Sequence, residues 1–162
     1  MKTMKGDKVT VLGKELKLGD KAPDFTLTNN DLDVSKLADF TEEYLLISTV
    51  PSLDTGVCDL QTRTINEKLA SNPKVKFITV SMDLPFGQKR WCGSAGVDLV
   101  TLSDHKTAEF GKAYGLLMEE LRLLARSVMV FDKNRELIYV EYLKEMGNHP
   151  NYEALINFVE KL

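Results

Sequence analysis

The chain has 162 residues, of which 43% are hydrophobic and 28% charged, and its formal charge is −3. That length suits one domain with a core of its own and is short for two, and the mix is that of a globular rather than a disordered chain. A net negative charge excludes a general nucleic-acid binder, which needs a basic excess against phosphates, and it gives no reason to expect adhesion to an anionic membrane surface.

No apolar run approaches the ~18 residues that a membrane-spanning helix needs. The opening Met1-Lys2-Thr3-Met4-Lys5-Gly6-Asp7 leads into no apolar stretch, so no secretory signal is read and a reducing, cytoplasmic setting is expected. Residues 1–20 read as an extension of a single domain covering 1–162. Within the extension, strand-forming residues from Val9 to Lys17 flank Gly13, which predicts a small β-hairpin turning there. Residues 20–27 then enter the body as an extended segment.

The body alternates strands and helices. Tyr44 to Val50 is an almost continuous apolar run, as expected of a strand covered on both faces. A loop at residues 51–54 leads into a helical stretch over 55–70, where Cys58, Gln61, Ile65 and Leu69 share one side. Val75 to Ser81 is the next strand. Asp83 before Pro85 reads as a helix cap with proline in the first turn, and that helix carries Gln88, Trp91 and Cys92 and stops near Gly93 or Gly96. A strand around 99–102 follows. Phe110, Ala113, Tyr114 and Leu117 mark another helical face. Residues 127–131 and 136–143 form a predicted hairpin around the turn 132–135, and Tyr152, Leu155, Ile156, Val159 and Leu162 line a closing amphipathic helix. Parallel βαβ units followed by an antiparallel hairpin imply an α/β fold with a mixed sheet flanked by helices. The thioredoxin-like fold, with an N-terminal β-hairpin, is the most economical assignment.

The chemistry centres on Pro51-Ser52-Leu53-Asp54-Thr55-Gly56-Val57-Cys58. A strand ends, a loop turns, and a cysteine enters the first turn of the next helix. Unpaired backbone N–H groups and the macrodipole favour an anion there, so a thiolate gains on the thiol. Thr55, three residues earlier, faces the same way. Its hydroxyl can donate to the sulfur or accept from a hydroxylic substrate. Pro51 offers no N–H and can shield the sulfur from water. A lone cysteine among apolar residues is commonly an inert small hydrophobe; the helix entry, the hydroxyl and the proline loop favour the reactive reading.

Pro51, Thr55 and Cys58 match the P-x-x-x-[TS]-x-x-C motif of the peroxiredoxins. The string Pro51 to Asn66, the block Val80 to Phe86 with Gln88 to Cys92, and Leu123-Leu124-Ala125-Arg126 together resemble the thiol peroxidase subgroup of the atypical two-cysteine peroxiredoxins. The likeness spans nearly the whole chain. It implies that Cys58 attacks the peroxide and becomes a sulfenic acid. It implies that Cys92 resolves that acid into an intrachain disulfide. Thr55 and Arg126 would bind the substrate, Pro51 would close the pocket, and Arg126 would favour the thiolate. Hydrogen peroxide and organic hydroperoxides would be reduced to water and alcohols, with thioredoxin as reductant, a homodimer as the assembly, and no metal or organic cofactor. Both cysteines lie on predicted helices, so at least one helix end is expected to unwind during turnover. The chain departs from the subgroup pattern at Ile65, where phenylalanine is expected, and across residues 118–122.

Bland readings stand beside these. Arginines are mostly surface residues, and Arg126 could sit at a sheet edge. Cys92 could be a second inert thiol, or half of a permanent disulfide worth roughly 3–4 kcal/mol on the chain-entropy model. Trp91 is a packing anchor, and His105 and His149 are surface or capping residues. The competing functions are a thiol–disulfide oxidoreductase or a redox-sensing module on the same scaffold. Cys58-Asp59-Leu60-Gln61 lacks the second thiol of a C-x-x-C pair.

Overall fold

Residues 1–69 and 71–162 are described in a computed structural model. Three parallel strands form the centre: β6 (Tyr44–Thr49), β7 (Val75–Ser81) and β8 (Val100–Ser103). In β6 and β7 nearly every residue is buried, as near-continuous apolar runs require when both faces of a sheet are covered. Antiparallel β11 (Ser127–Phe131) joins the β6 edge and carries β12 (Leu137–Tyr142). Antiparallel β4 (Thr26–Thr28) joins β8 and carries β5 (Val34–Lys36). Among the described residues the sheet thus runs β12-β11-β6-β7-β8-β4-β5.

Helices α1 (Gly56–Leu69), α2 (Pro85–Ala95) and α4 (Tyr152–Glu160) cover one face. That face changes character along the strands. Leu46, Val75 and Phe77 pack with Ile65, Leu155 and Val159, whereas the carboxyl ends present Ser48, Thr79, Ser81, Thr101 and Ser103, all buried. The cysteine-bearing ends of α1 and α2 lie over this hydroxyl-rich part, at the strand ends where α/β sheets place their sites. The opposite face packs Leu45, Ile47, Ile78 and Val80 against α3 (Glu109–Ala113) and a small three-stranded sheet. That sheet comprises β3 (Val11–Leu12), β9 (Leu117–Met118) and β10 (Leu123–Leu124).

Most predicted elements stand where the sequence put them, within a residue or two; the last predicted residue of α1, Ala70, lies outside the described residues. Three expectations are corrected. The N-terminal hairpin, β1 (Lys2–Met4) with β2 (Asp7–Val9), turns at Lys5-Gly6 and not at Gly13. Both turn residues have positive φ, 52° and 84°, as a two-residue hairpin turn of the primed type requires. The helical face from Phe110 stops at Ala113, because Gly115 takes φ +68°; Leu117 lies on β9 instead. Asp83 does not cap α2, whose N-cap is Leu84 with no side-chain hydrogen bond.

Gly13 serves a close crossing. Its φ is +85°, and a Cβ there would meet the Lys112 carbonyl oxygen at 1.9 Å. Gly115 approaches Lys14 in the same way. Gly13→Ala combines left-handed strain with a backbone clash, and is expected to cost about 3 kcal/mol or more in urea unfolding. A loss below ~1 kcal/mol would contradict so tight a crossing.

Candidate active site

Thr49 ends β6, the chain turns through Pro51 to Thr55, and α1 begins at Gly56. Cys58 falls in its first turn and is fully buried. The loop is tied locally: Thr55 Oγ1 donates to the Ser52 carbonyl at 3.0 Å and Asp59 N–H to the Thr55 carbonyl at 2.9 Å. The Thr55 hydroxyl therefore spends its proton on the backbone and turns acceptor lone pairs outward. Of the two roles the sequence allows it, this state offers the acceptor.

Arg126 immediately precedes β11 and is 2% exposed, so the reading of a sheet-edge surface arginine fails. Its Nη2 donates to Cys58 Sγ at 3.2 Å, and its Nη1 to Gln61 Oε1 at 2.8 Å. Nη2 and Nε also donate to the Met146 carbonyl, at 2.7 and 3.0 Å. Gln61 is held in turn by donation to Ser48 Oγ at 2.7 Å. Among the described residues no carboxylate lies within ion-pair distance of this guanidinium. A buried cation without an anionic partner is costly. Among the acceptors it reaches, the Cys58 sulfur is the one group able to carry a negative charge.

A cleft of ≈ 160 Å³ opens at Arg126, with Pro51, Thr55, Val57, Met146 and Met4 also in its walls; Cys58, fully buried, is not among its lining residues. A wider hollow of ≈ 390 Å³, bounded by Lys2, Glu15 and Tyr142, contains no thiol. Cys92 sits near the end of α2, half-buried, with Sγ 3.8 Å from Thr101 Oγ1. It packs against the cluster of Val50, Leu53, Cys58 and Trp91 but does not line the cleft. Cys58 and Cys92 are both free thiols in this structure. Burial pushes the Cys92 thiol up, and hydrogen bonds from Thr101 and Asn30 offset this in part. His105 bonds to Ser103, and His149, exposed, to Tyr152; neither contacts Cys58.

The redoxin family profile matches residues 17–156. The chain is 53% identical over 160 residues to the thiol peroxidase of Oceanobacillus iheyensis, covering 98% of each chain. It is 52% identical over 161 residues to that of Bacillus subtilis, covering 99% of this chain and 96% of the other. The fold superposes on a peroxiredoxin-like protein from Aquifex aeolicus with a TM-score of 0.91 and 38% identity, covering 99% and 95%. The chain belongs to the thiol peroxidases, within the redoxin family.

This thiol peroxidase uses residues that the sequence did not single out for its site. Met146 holds Arg126 twice through its carbonyl and once through Sδ, which accepts from Arg126 N–H at 3.2 Å. A carbonyl carries no residue signature, and so no motif could have pointed to it. Next to it, Glu145 gathers the Thr3 hydroxyl and the backbone N–H groups of Lys5, Gly6 and Gly147. These bonds, the Thr3 hydroxyl foremost, hold its carboxyl below the usual range. The contribution of this tie is therefore present above the ordinary carboxylate range and is lost as pH falls through the lowered value. The hairpin of β1 and β2 is thereby fixed at the rim of the thiol peroxidase cleft, with Met4 in its wall.

Proposed function

We propose that Cys58 is the peroxidatic cysteine, with hydrogen peroxide and organic hydroperoxides as its substrates. The single observation that carries this reading is the buried guanidinium of Arg126, 3.2 Å from Cys58 Sγ and with no carboxylate within ion-pair distance among the described residues. The thiolate attacks one peroxide oxygen in line with the O–O bond. Sulfur loses two electrons and becomes the sulfenic acid; the other oxygen leaves with the bond pair and takes a proton, as water or alcohol. Arg126 favours the thiolate and stabilises charge on the departing oxygen. The Thr55 lone pairs accept the peroxide O–H, which orients it, and Pro51 shields the sulfur from bulk water.

Cys92 is the resolving cysteine in this reading. Its thiol condenses with the sulfenic acid to give the Cys58–Cys92 disulfide, releasing water. A dithiol of the thioredoxin type then reduces the disulfide by exchange. Cys58 lies in the first turn of α1 and Cys92 near the end of α2, so one of these helix ends unwinds to bring the sulfurs together. The same reading takes residues 1–162 as one domain with 1–20 as an extension, working in the cytoplasm as a homodimer. No helix of the described residues is long and apolar enough to cross a membrane.

Cys92→Ser separates the steps. The variant is expected to consume one equivalent of peroxide at an unchanged rate, to stop at the sulfenic acid, and to fail to turn over with thioredoxin. Full turnover with thioredoxin would remove Cys92 from the mechanism.

A further inference from the structure

We propose that Asp83 is a positioning residue whose carboxylate holds the Cys58 loop against the start of α2, so that its release sets the rate of disulfide formation. This rests on the reading of Cys58 and Cys92 as the reacting pair. Asp83 stands at the joint between β7 and α2, two residues before Pro85. Its Oδ1 accepts from Ser52 Oγ at 2.7 Å; its Oδ2 accepts from Leu53 N–H at 2.8 Å and from Ser81 Oγ at 2.7 Å. One carboxylate thus joins the loop that delivers Cys58 to the strand end that delivers Cys92.

Three further hydrogen bonds cross the same seam, and the longest runs from exposed Arg63 Nη1 to the Ala95 carbonyl at 3.5 Å. Arg90 Nη2 donates to Asp54 Oδ1 at 2.9 Å, but both side chains are exposed and such a pair contributes little. Trp91 Nε1 donates to Asp59 Oδ1 at 2.8 Å through a neutral donor. Asp83, half-buried and triply bonded, is the strongest of these ties. It is also the one that leaves α2 without a capping side chain, so the segment it restrains starts from a loosely held first turn. While the tie holds, Cys58 stays in the folded first turn facing Arg126, ready for peroxide. For the sulfurs to meet, the seam has to slide and the Ser52 and Leu53 bonds have to break. Asp83 therefore favours the first oxidation and opposes the second step.

The test uses the whole chain, one equivalent of hydrogen peroxide, and stopped-flow fluorescence of Trp91, which adjoins Cys92 and is the single tryptophan. Asp83→Asn replaces one acceptor oxygen with a donor. It is expected to slow the first phase severalfold and to accelerate disulfide formation about tenfold, the size of one hydrogen bond to a charged group. At high peroxide the sulfinic fraction falls, because resolution outruns a second oxidation. Ser52→Ala, which keeps the carboxylate on Leu53 and Ser81, moves both phases the same way by about threefold, and carries the test if the first variant fails to fold. A second phase that is unchanged, or slowed together with the first, overturns the proposal. Peptide mapping of the oxidised wild type separates the two ideas. Absence of the Cys58–Cys92 disulfide overturns the pairing itself; its presence, with a second phase indifferent to both substitutions, overturns only the role of Asp83.

Discussion

Cys58→Ser is expected to abolish peroxide turnover, with a loss of about 10⁴-fold or more. A serine hydroxyl remains un-ionised at neutral pH, and its oxygen has no counterpart of the sulfenic acid to form. The substitution changes one buried atom in a cluster with Val50, Leu53 and Trp91, so the fold is retained and the loss reports chemistry alone. Amplex-type assays of residual peroxide, with circular dichroism as the folding control, measure it. Turnover within tenfold of wild type would move the reactive centre away from Cys58.

Arg126→Met is expected to lower the second-order rate constant with hydrogen peroxide by about 10³-fold, or roughly 4 kcal/mol in the barrier. Three effects act together. The cation that faces the sulfur is gone, the donor proposed for the departing oxygen is gone, and the Met146 carbonyl and Gln61 Oε1 lose their partner. Arg126→Lys restores a charge without the planar fork. It cannot reach Cys58, Gln61 and Met146 at once, and is expected to recover only part of the rate. The thiolate absorbance near 240 nm at neutral pH should fall in the methionine variant and return in part in the lysine variant. A rate constant within threefold of wild type in Arg126→Met would show that the helix entry suffices.

The legible parts of this chain were those whose signal sits in side-chain type. β6 and β7 are near-continuous apolar runs, and α1 shows its buried side through Cys58, Gln61, Ile65 and Leu69. Pro51 and Thr55 lie in the loop that leads directly into the first turn of α1, where Cys58 sits, so their spacing was readable in the sequence. Arg126 was legible as the residue before a strand, but its burial was not, because Glu145 to Gly147, whose Met146 holds it, form only an isolated bridge and a turn. Asp83 was misread for a physical reason. A carboxylate just before a helix-starting proline looks like a cap, and only the neighbouring loop shows that Ser52 and Leu53 claim it first. Gly13 was misread likewise, since a turn and a close backbone crossing call for the same missing side chain.

The clamp on Arg126 has a consequence for how the enzyme is made. Thr3 N–H donates to the Lys144 carbonyl at 2.8 Å and Met146 N–H to the Thr3 carbonyl at 2.9 Å, so the carbonyl that grips the guanidinium is itself gripped by nearly the first residues translated. A nascent polypeptide carries Cys58 out of the ribosome long before residues 144–146 have emerged. Until they arrive, the guanidinium lacks the carbonyl that seats it, so the surroundings of Cys58 are completed only at the end of synthesis.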